Sequence, residues 1–578
     1  MSASAKRSRY ACTKRSLVGS ICGLVFGALT SLAMAVPTPE VTGPVPSDPP
    51  GSPGRNYLFF ATDLDLAHRG YVEEEFFYAG TANWYQTTGE PATATIVSSG
   101  HPYKTRITVR RPANPARFNG IVIAEWTNVT SSYDNPVFWL RSHEFLMREG
   151  YAWVGIAAQR LAIAGVPDGL RNWSPVRYDT LDVADDALSY DVFAQGIQAV
   201  QAVPAVMGGL PVRHVIAAGI SQSASRLAIY LNAVYPLDPI SDGALVIIGG
   251  QQIRPDLDIP VMKVLSETEF LGAQARNRQA DTDWFRTWWV TGTSHSEHHG
   301  GLTRNALFRR DLPDRPLFDT CTLPSRSRIH WHYAQSAAVD AIVKWVEQGV
   351  PPAYSPLPEW TSIDPTVVLA RDAYGNALGG IRLASLAVPI ATSQGLNSGP
   401  ELCFLTGVHI PFDTATLASL YPSHEAYVRA VRDAAEQNVR DGFLLKEDAL
   451  ELIRDAQSSL VGTGLICGPL CVNFKQFLSN PSTSNLRDQT QVYYFRGGKQ
   501  LLTTLDQATR LVAEGYTAAE QSDPATQKEK FQKAIKSLQR YIQDVEKMPR
   551  QERAAQETVD LLVDFANILI ESIAAEAE

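Results

Sequence analysis

Cysteine is scarce in this chain of 578 residues: there are six, and no two form a tight C-x-x-C pair. That argues against a structural zinc site built on paired thiolates. Positive charge is in deficit as well. With 51 Lys and Arg against 60 Asp and Glu the net charge is −9, so nothing in the balance calls for nucleic acid or an anionic membrane surface. Beyond the first 35 residues no segment is apolar enough to span a bilayer, and there are no internal repeats or useful length of coiled coil. What is plentiful is core material. A 45% hydrophobic and 19% charged composition is that of a globular protein, and 11 Trp, 21 Tyr and 21 Phe suit deep cores and an aromatic-walled pocket. The length predicts two to four domains.

The N-terminus has the three-part layout of a secretory signal. "MSASAKRSRYACTKRS" is basic, "LVGSICGLVFGALTSLAMA" is apolar, and "AMA" puts small residues before Val36-Pro37. Cleavage is expected after Ala35, with an uncleaved anchor helix as the competing reading. Residues 1–35 are thus expected to be a signal peptide, and after cleavage the mature protein is expected to be secreted or periplasmic with no membrane-spanning segment. Export leaves Cys321, Cys403, Cys467 and Cys471. An even number in an oxidising compartment fits two disulfides, Cys467–Cys471 being the easier local pair and Cys321–Cys403 the remainder.

Residues 36–54, "VPTPEVTGPVPSDPPGSPG", read as a Pro/Gly tether with nothing to pack. From Arg55 to Gly300 strand-like and helix-like segments alternate. "YKTRITVRRP", "GIVIAEW", "YAWVGIAAQ", "HVIAAG", "GALVIIGG", "IPVMKVLSE" and "RTWWVTGTS" read as strands. "PVFWLRSHEFLMREG", "YDVFAQGIQAVQAVPAVM" and "SASRLAIYLNAVY" read as helices. From "GIVIAEW" onward the strands are continuous apolar runs, the mark of strands buried on both faces of a parallel sheet. The fold class is therefore α/β, doubly wound. One domain covers 55–477. It includes helices at "SAAVDAIVKWVEQG" and "HEAYVRAVRDAAEQNVRDGFLLKEDALELIRDA" and Pro/Gly-rich loops that build over its mouth. Residues 478–578 form a linker (478–491) and a small helical module, with amphipathic helices at "KEKFQKAIKSLQRYIQDVEKM" and "AAQETVDLLVDFANILIESI".

The sharpest local feature is "HVIAAGISQSASRLAIYLNAV", where an apolar strand stops at Ser221 and a helix follows at once. A serine on such a corner, with Gly219 two before and Ser223 two after, has the layout of a nucleophile elbow. Both flanking residues must be small because strand and helix crowd there. "GISQS" departs from G-x-S-x-G in its last residue. The helix aims its first N–H groups at a developing oxyanion, and Gln222 N–H is the expected donor. A base and an orienting acid should follow in the order Ser, acid, His. "SETEF" after the strand "PVMKVL" offers Glu267 and Glu269; counting nine residues from Pro260 favours Glu269, at the loop tip. "TSHSEHHG" after the next strand makes His295 the base. The spacings, 48 and then 26 residues, suit one α/β unit and a hop to the last strand. A second oxyanion donor is expected from the loop "TNVTSSYDNP", at the backbone N–H of Thr127 or Asn128, although that loop has no H-G-G-G.

The remaining histidines read as bland. "HSEHH" has no helix to hold His295 and His298 as metal ligands, so His298 and His299 are expected to be solvated or supporting groups. "HWH" puts His330 and His332 on one face of a strand, as packing or surface residues.

The elbow and its partners, with "GYVEEEFFYAGTANWY", "IVIAEWTNVTSSYD", "YDVFAQ", "VLSETEF", "WWVTGTSH", "GNALGGIRL" and "GVHIPFD", resemble the α/β-hydrolase superfamily. More closely, they resemble secreted or periplasmic bacterial proteins with an α/β-hydrolase domain. The resemblance covers most of residues 55–460. It implies an α/β-hydrolase fold and a serine hydrolase acting on carboxylic esters, small or polymeric. The roles would be those above for Ser221, His295 and the two glutamates, and no metal or organic cofactor is implied. The same constellation serves amidases and acyltransferases. A binding or adhesion protein on this scaffold, its C-terminal helices docking a partner or surface, is the non-enzymatic alternative.

Overall fold

The computed structural model describes residues 36–89, 92–315, 321–457, 459, 461–462, 486–487, 490, 498–548 and 556–577. The expected signal peptide, the Cys467–Cys471 pair and nearly all of the 478–491 linker lie outside these.

Among the described residues, nine strands form one sheet in the order β1-β2-β3-β5-β4-β6-β7-β8-β9. β1 (Glu40–Thr42), β2 (Tyr71–Thr88) and β3 (Thr93–Pro112) are antiparallel, and β3 joins β5 (Ala152–Ile156) antiparallel. From β5 onward through β4 (Ile121–Trp126), β6 (His214–Ile220), β7 (Gly243–Ile247), β8 (Val261–Ser266) and β9 (Phe285–Val290) all pairing is parallel. Every residue of β4, β5, β7, β8 and β9 is buried. This is the physical reason their sequences are mostly apolar and do not alternate, with Glu125, Lys263, Ser266, Arg286 and Thr287 the polar exceptions. The crossover helices include α1 (Val137–Arg148), α2 (Ser189–Ala202) and α3 (Gln222–Ile229). α2 stops before Val203-Pro204, a step that disfavours helical backbone.

Charge is also built into this core. Glu125, on β4 and wholly buried, accepts hydrogen bonds from Phe138 N (2.8 Å), Trp139 N (3.3 Å) and Trp153 Nε1 (2.9 Å). It thereby caps α1 against the sheet, and burial pushes its carboxyl up to about 8.

Three expectations need correction. The stretch 36–54 does pack: Glu40–Thr42 is an edge strand on β2 and Val36 is buried. Proline hides such a strand because edges tolerate it. The segment from His424 is two helices, α6 (His424–Arg440) and α7 (Lys446–Gln457), because Gly442 at φ +81° turns the chain between them. The histidines also sit differently: His298 opens helix α4 (His298–Asp311), and His330 precedes helix α5 (Trp331–Gln348) where a strand was expected. The rings of His299 and His332 stack at 3.8 Å, which makes both packing residues: the second of the two options for His299 and the first for His332.

Two small antiparallel pairs follow α5: β10 (Trp360–Ser362) with β11 (Val368–Leu369), and β12 (Ala391–Gln394) with β13 (Val408–Pro411). The C-terminal module contains α8 (Gly498–Glu520), α9 (Pro524–Lys547) and α10 (Gln556–Glu576), sharing a core that includes Leu505, Val512, Phe531, Leu538 and Phe565. α8 is additional to the two helices expected there.

Cys321 and Cys403 form a disulfide that closes a loop of 82-residue separation. Chain entropy alone assigns such a loop about 4.5 kcal/mol. The Cys321→Ser, Cys403→Ser double variant should therefore melt at a lower temperature than wild type. Alkylation of the denatured, unreduced protein should leave both cysteines unmodified; their quantitative labelling would contradict the bridge.

Candidate active site

At the end of β6 the backbone enters α3 through Ser221, whose φ of +64° and ψ of −118° lie where side chains are rarely found. Three contacts hold the corner. Ser221 N donates to Ile247 O (2.9 Å), Ile220 N donates to Ser223 Oγ (3.0 Å), and Asn128 Nδ2 donates to Ile220 O (3.0 Å). Crowding dictates the small residues. A Cβ on Gly219 would lie 2.6 Å from Ser223 O, and one on Gly249 would lie 2.7 Å from Ser221 O. Ser223 is buried, and its hydroxyl ties the strand end to the helix. This accounts for a serine where the elbow pattern has its last glycine.

Ser221 Oγ lies 2.8 Å from His295 Nε2, and His295 Nδ1 lies 2.7 Å from Glu269 Oε1. The other Glu269 oxygen accepts from Ser266 N (3.1 Å) and Ser266 Oγ (2.5 Å). Serine before the one-turn helix Glu267–Glu269 and glutamate at its third position make a capping box that fixes the carboxylate. His295 is held from both sides of its peptide. Its N–H donates to Thr268 Oγ1 (3.0 Å), and its carbonyl accepts from Arg141 Nη2 (2.6 Å).

Glu267 faces away from His295. Fully buried, it accepts from Gly292 N (2.8 Å) and Gly395 N (3.1 Å) and pairs with Arg371 Nη2 (2.8 Å). The helical turn separates the two carboxylates that an extended "SETEF" would have put on one face.

The expected oxyanion donors divide. Gln222 N–H belongs to the first residue of α3, where the helix offers it no acceptor. The N–H groups of Thr127 and Asn128 are committed, to Ile156 O (3.3 Å) and Asn135 O (3.0 Å), so that expectation fails. Sheet pairing runs one residue past β4, and the loop then closes on itself.

Ser221 and His295 share a cleft of about 100 Å³ whose walls include Asn128, Ile248, Leu402 and Leu405. A larger cavity of about 830 Å³, lined in part by His299, His332 and Arg148, contains neither of them. Among the described residues no group of three or more His, Cys, Asp or Glu is arranged to hold a metal ion.

Residues 41–454 match the family described as alpha/beta hydrolase domain. The chain belongs to that α/β-hydrolase family. Among curated proteins no sequence matches it. Among solved structures, this α/β-hydrolase is similar to esterase Est22, at 14% identity over 42% of this chain and 77% of that one, with a TM-score of 0.24. It is similar to a glucuronoyl esterase from Solibacter usitatus at 10% identity, over 43% and 83% of the two chains, with a TM-score of 0.23. The family assignment rests on the 41–454 match.

Several supporting residues escaped sequence reading: Ser266, Thr268, Gly249, Arg371 and Arg141. Two of them carried a signal: Ser266, in the S-x-x-E capping pattern of "SETE", and Arg141, as a lone cation amid the apolar residues of "PVFWLRSHEFLM". The geometry makes Glu267 a stability residue. Glu267→Ala strands two backbone N–H groups and the Arg371 guanidinium, which should cost roughly 3 kcal/mol. Thermal melting checks this; an unchanged Tm would show that the buried pair holds nothing.

Proposed function

We propose that this α/β-hydrolase is an exported serine esterase that cleaves carboxylic esters through an acyl-enzyme on Ser221. The observation that carries the reading is the hydrogen-bonded chain Ser221 Oγ–His295 Nε2–His295 Nδ1–Glu269 Oε1, at 2.8 and 2.7 Å. His295 Nε2 takes the hydroxyl proton as Ser221 Oγ attacks the ester carbonyl carbon. Glu269 accepts from Nδ1–H, fixes that tautomer and stabilises the imidazolium. The carbonyl oxygen, now an anion, is received by Gln222 N–H at the head of α3. Collapse of the tetrahedral species expels the alcohol, which takes the proton from Nε2. Water then repeats the sequence on the acyl-enzyme and releases the acid. Export is supported by the three-part N-terminus and by a disulfide of the kind that persists in oxidising compartments.

Hydrolysis of p-nitrophenyl esters of rising chain length tests the activity. Ser221→Ala should lose turnover by a factor of roughly 10⁶ while keeping its fold. More than about a hundredth of wild-type activity in that variant would exclude Ser221 as nucleophile. A fluorophosphonate should label Ser221 and no other serine. Glu269→Gln should lower turnover by roughly 10⁴ at a melting temperature close to wild type, given the loss seen when such an acid becomes an amide. A near-dead, well-folded Glu267→Gln variant would instead shift the orienting role to Glu267. Terminal sequencing of the mature protein should begin at Val36.

A further inference from the structure

Two leucines on the wall of the Ser221 cleft are not held there by the core. The apolar residues lining the cleft are Val137, Leu140, Ile220, Ile248, Leu402 and Leu405. The first four belong to the main hydrophobic core or pack on it, whereas Leu402 and Leu405 belong to none of the hydrophobic clusters. Leu402 is 46% exposed, so packing does not fix its position. An exposed leucine is ordinary on an open surface, but this one borders the reacting serine.

A covalent bond places the pair. Cys403, between them in the chain, is 5% exposed and bridged to Cys321. The hydrogen bonds inside the turn are local: Cys403 N donates to Pro400 O (3.2 Å), Leu405 N to Leu402 O (2.9 Å) and Thr406 N to Cys403 O (3.0 Å). Among the described residues, one hydrogen bond and the disulfide tie Leu402–Leu405 to distant parts of the chain. The hydrogen bond comes from Ser296 N, next to His295, and ends on Leu405 O (2.8 Å). Cys321 is itself anchored, since Thr322 N donates to Ser398 O (2.8 Å) and Ser325 bridges to Val408 on β13. Gly399, at φ +133°, passes so close that a Cβ there would lie 3.1 Å from Cys403 Sγ. The bridge is thus built into the lobe that carries the leucines.

Ile248 narrows the cleft from the core side. It is β-branched yet sits at φ +43°, where such residues are outliers, and its N–H donates to Val264 O (2.7 Å). Strain of this kind gathers at functional sites. A stiff side chain is kept at the cleft although two glycines, Gly249 and Gly250, follow it directly.

We propose that the Cys321–Cys403 bridge is a positioning device for substrate selection, holding Leu402 and Leu405 beside Ile248 as an apolar wall that admits a short apolar group and rejects a long one. This rests on the serine-esterase reading and narrows it to esters of short apolar acids or alcohols. With the ester carbonyl at Ser221 Oγ, the atoms flanking it enter a cleft of about 100 Å³, and a longer chain meets the two leucines.

Two matched series test it, with spontaneous hydrolysis subtracted by the Ser221→Ala variant. The apolar group is on the acyl side in p-nitrophenyl butyrate against p-nitrophenyl octanoate. It is on the alcohol side in butyl acetate against octyl acetate. In at least one series kcat/KM of the oxidised protein should favour the short ester by about tenfold or more, the scale on which an apolar pocket discriminates methylenes. Leu402→Ala and the Cys321→Ser, Cys403→Ser double variant should each pull that ratio toward one. Reduction of the folded wild type should do the same, and reoxidation should restore the preference; this arm decides if the double variant does not fold. The ratio is the readout because misfolding or lost Ser221 chemistry lowers both members together. A wild-type ratio at or below one in both series, or a preference unchanged in folded Leu402→Ala or in the folded bridge-free protein, would overturn the proposal while leaving the esterase reading in place. If no ester of either series is turned over, the esterase reading falls and the wall is judged by binding alone. In that case 2-pentanone should raise the Tm of the oxidised protein more than 2-nonanone at equal concentration, and Leu402→Ala should lose that order. Equal shifts in the wild type, or none, would overturn the proposal.

Discussion

Between β6 and α3 the backbone is driven into a conformation worth of order 1–3 kcal/mol of strain, and much of the surrounding structure serves to keep it there. Ser221 at φ +64° survives because its N–H continues the sheet onto Ile247 O and because Ser223 and Asn128 each grip Ile220. The support extends outward. Gly249 lets the end of β7 close against the Ser221 carbonyl. The chain beyond it is pinned by Lys263, whose Nζ donates to Gly250 O (3.2 Å) and Gln251 O (2.7 Å). Burial pulls that ammonium down to about 8, so a charged group is held inside the sheet for its hydrogen bonds. Relaxing any of these would let the turn open and swing the Ser221 hydroxyl away from His295.

Two glutamates two residues apart divide the work at the next loop. Glu269 is presented by a capping box toward His295 Nδ1, while Glu267 is spent on Gly292, Gly395 and Arg371. The division matters because the loop must not move. Gly292 lies in the turn that carries His295, so Glu267 fixes the Glu269 loop and the His295 loop to each other. Thr268 adds a third tie: its Oγ1 accepts from His295 N and donates to Gly395 O (2.5 Å).

Much of this was legible in the residues alone. Continuous apolar runs gave away the parallel strands, since burial on both faces leaves no room for alternation. The corner at Ser221 was readable from residue size, as were the strand ends carrying an acid and a histidine. What could not be read was the choice between Glu267 and Glu269 beyond a count of residues. The partners that occupy Glu267 sit up to 128 positions away, and no local pattern announces them. The commitment of Thr127 was hidden for the same reason, because its acceptor, Ile156 O, belongs to another strand; that of Asn128 lies in the closure of its own loop onto Asn135 O, which no residue pattern there announces. The edge strand Glu40–Thr42 was concealed by prolines, and the break at Gly442 by helical periodicity on both sides of it.

The Cys321–Cys403 bridge divides the chain in a way the sheet does not. Arg371 and Gly395, which hold Glu267, and Ile381, which bridges to Val290 at the end of β9, all lie between the two cysteines. Ser221, Glu269 and His295 lie outside. Under tension applied to the two ends of the polypeptide, force passes from Cys321 through the sulfur–sulfur bond to Cys403, and the intervening ring bears no load. Such a pull extends the strands that present Ser221, Glu269 and His295, while the segment that braces the Glu267–Glu269 turn keeps its length until the bridge is reduced.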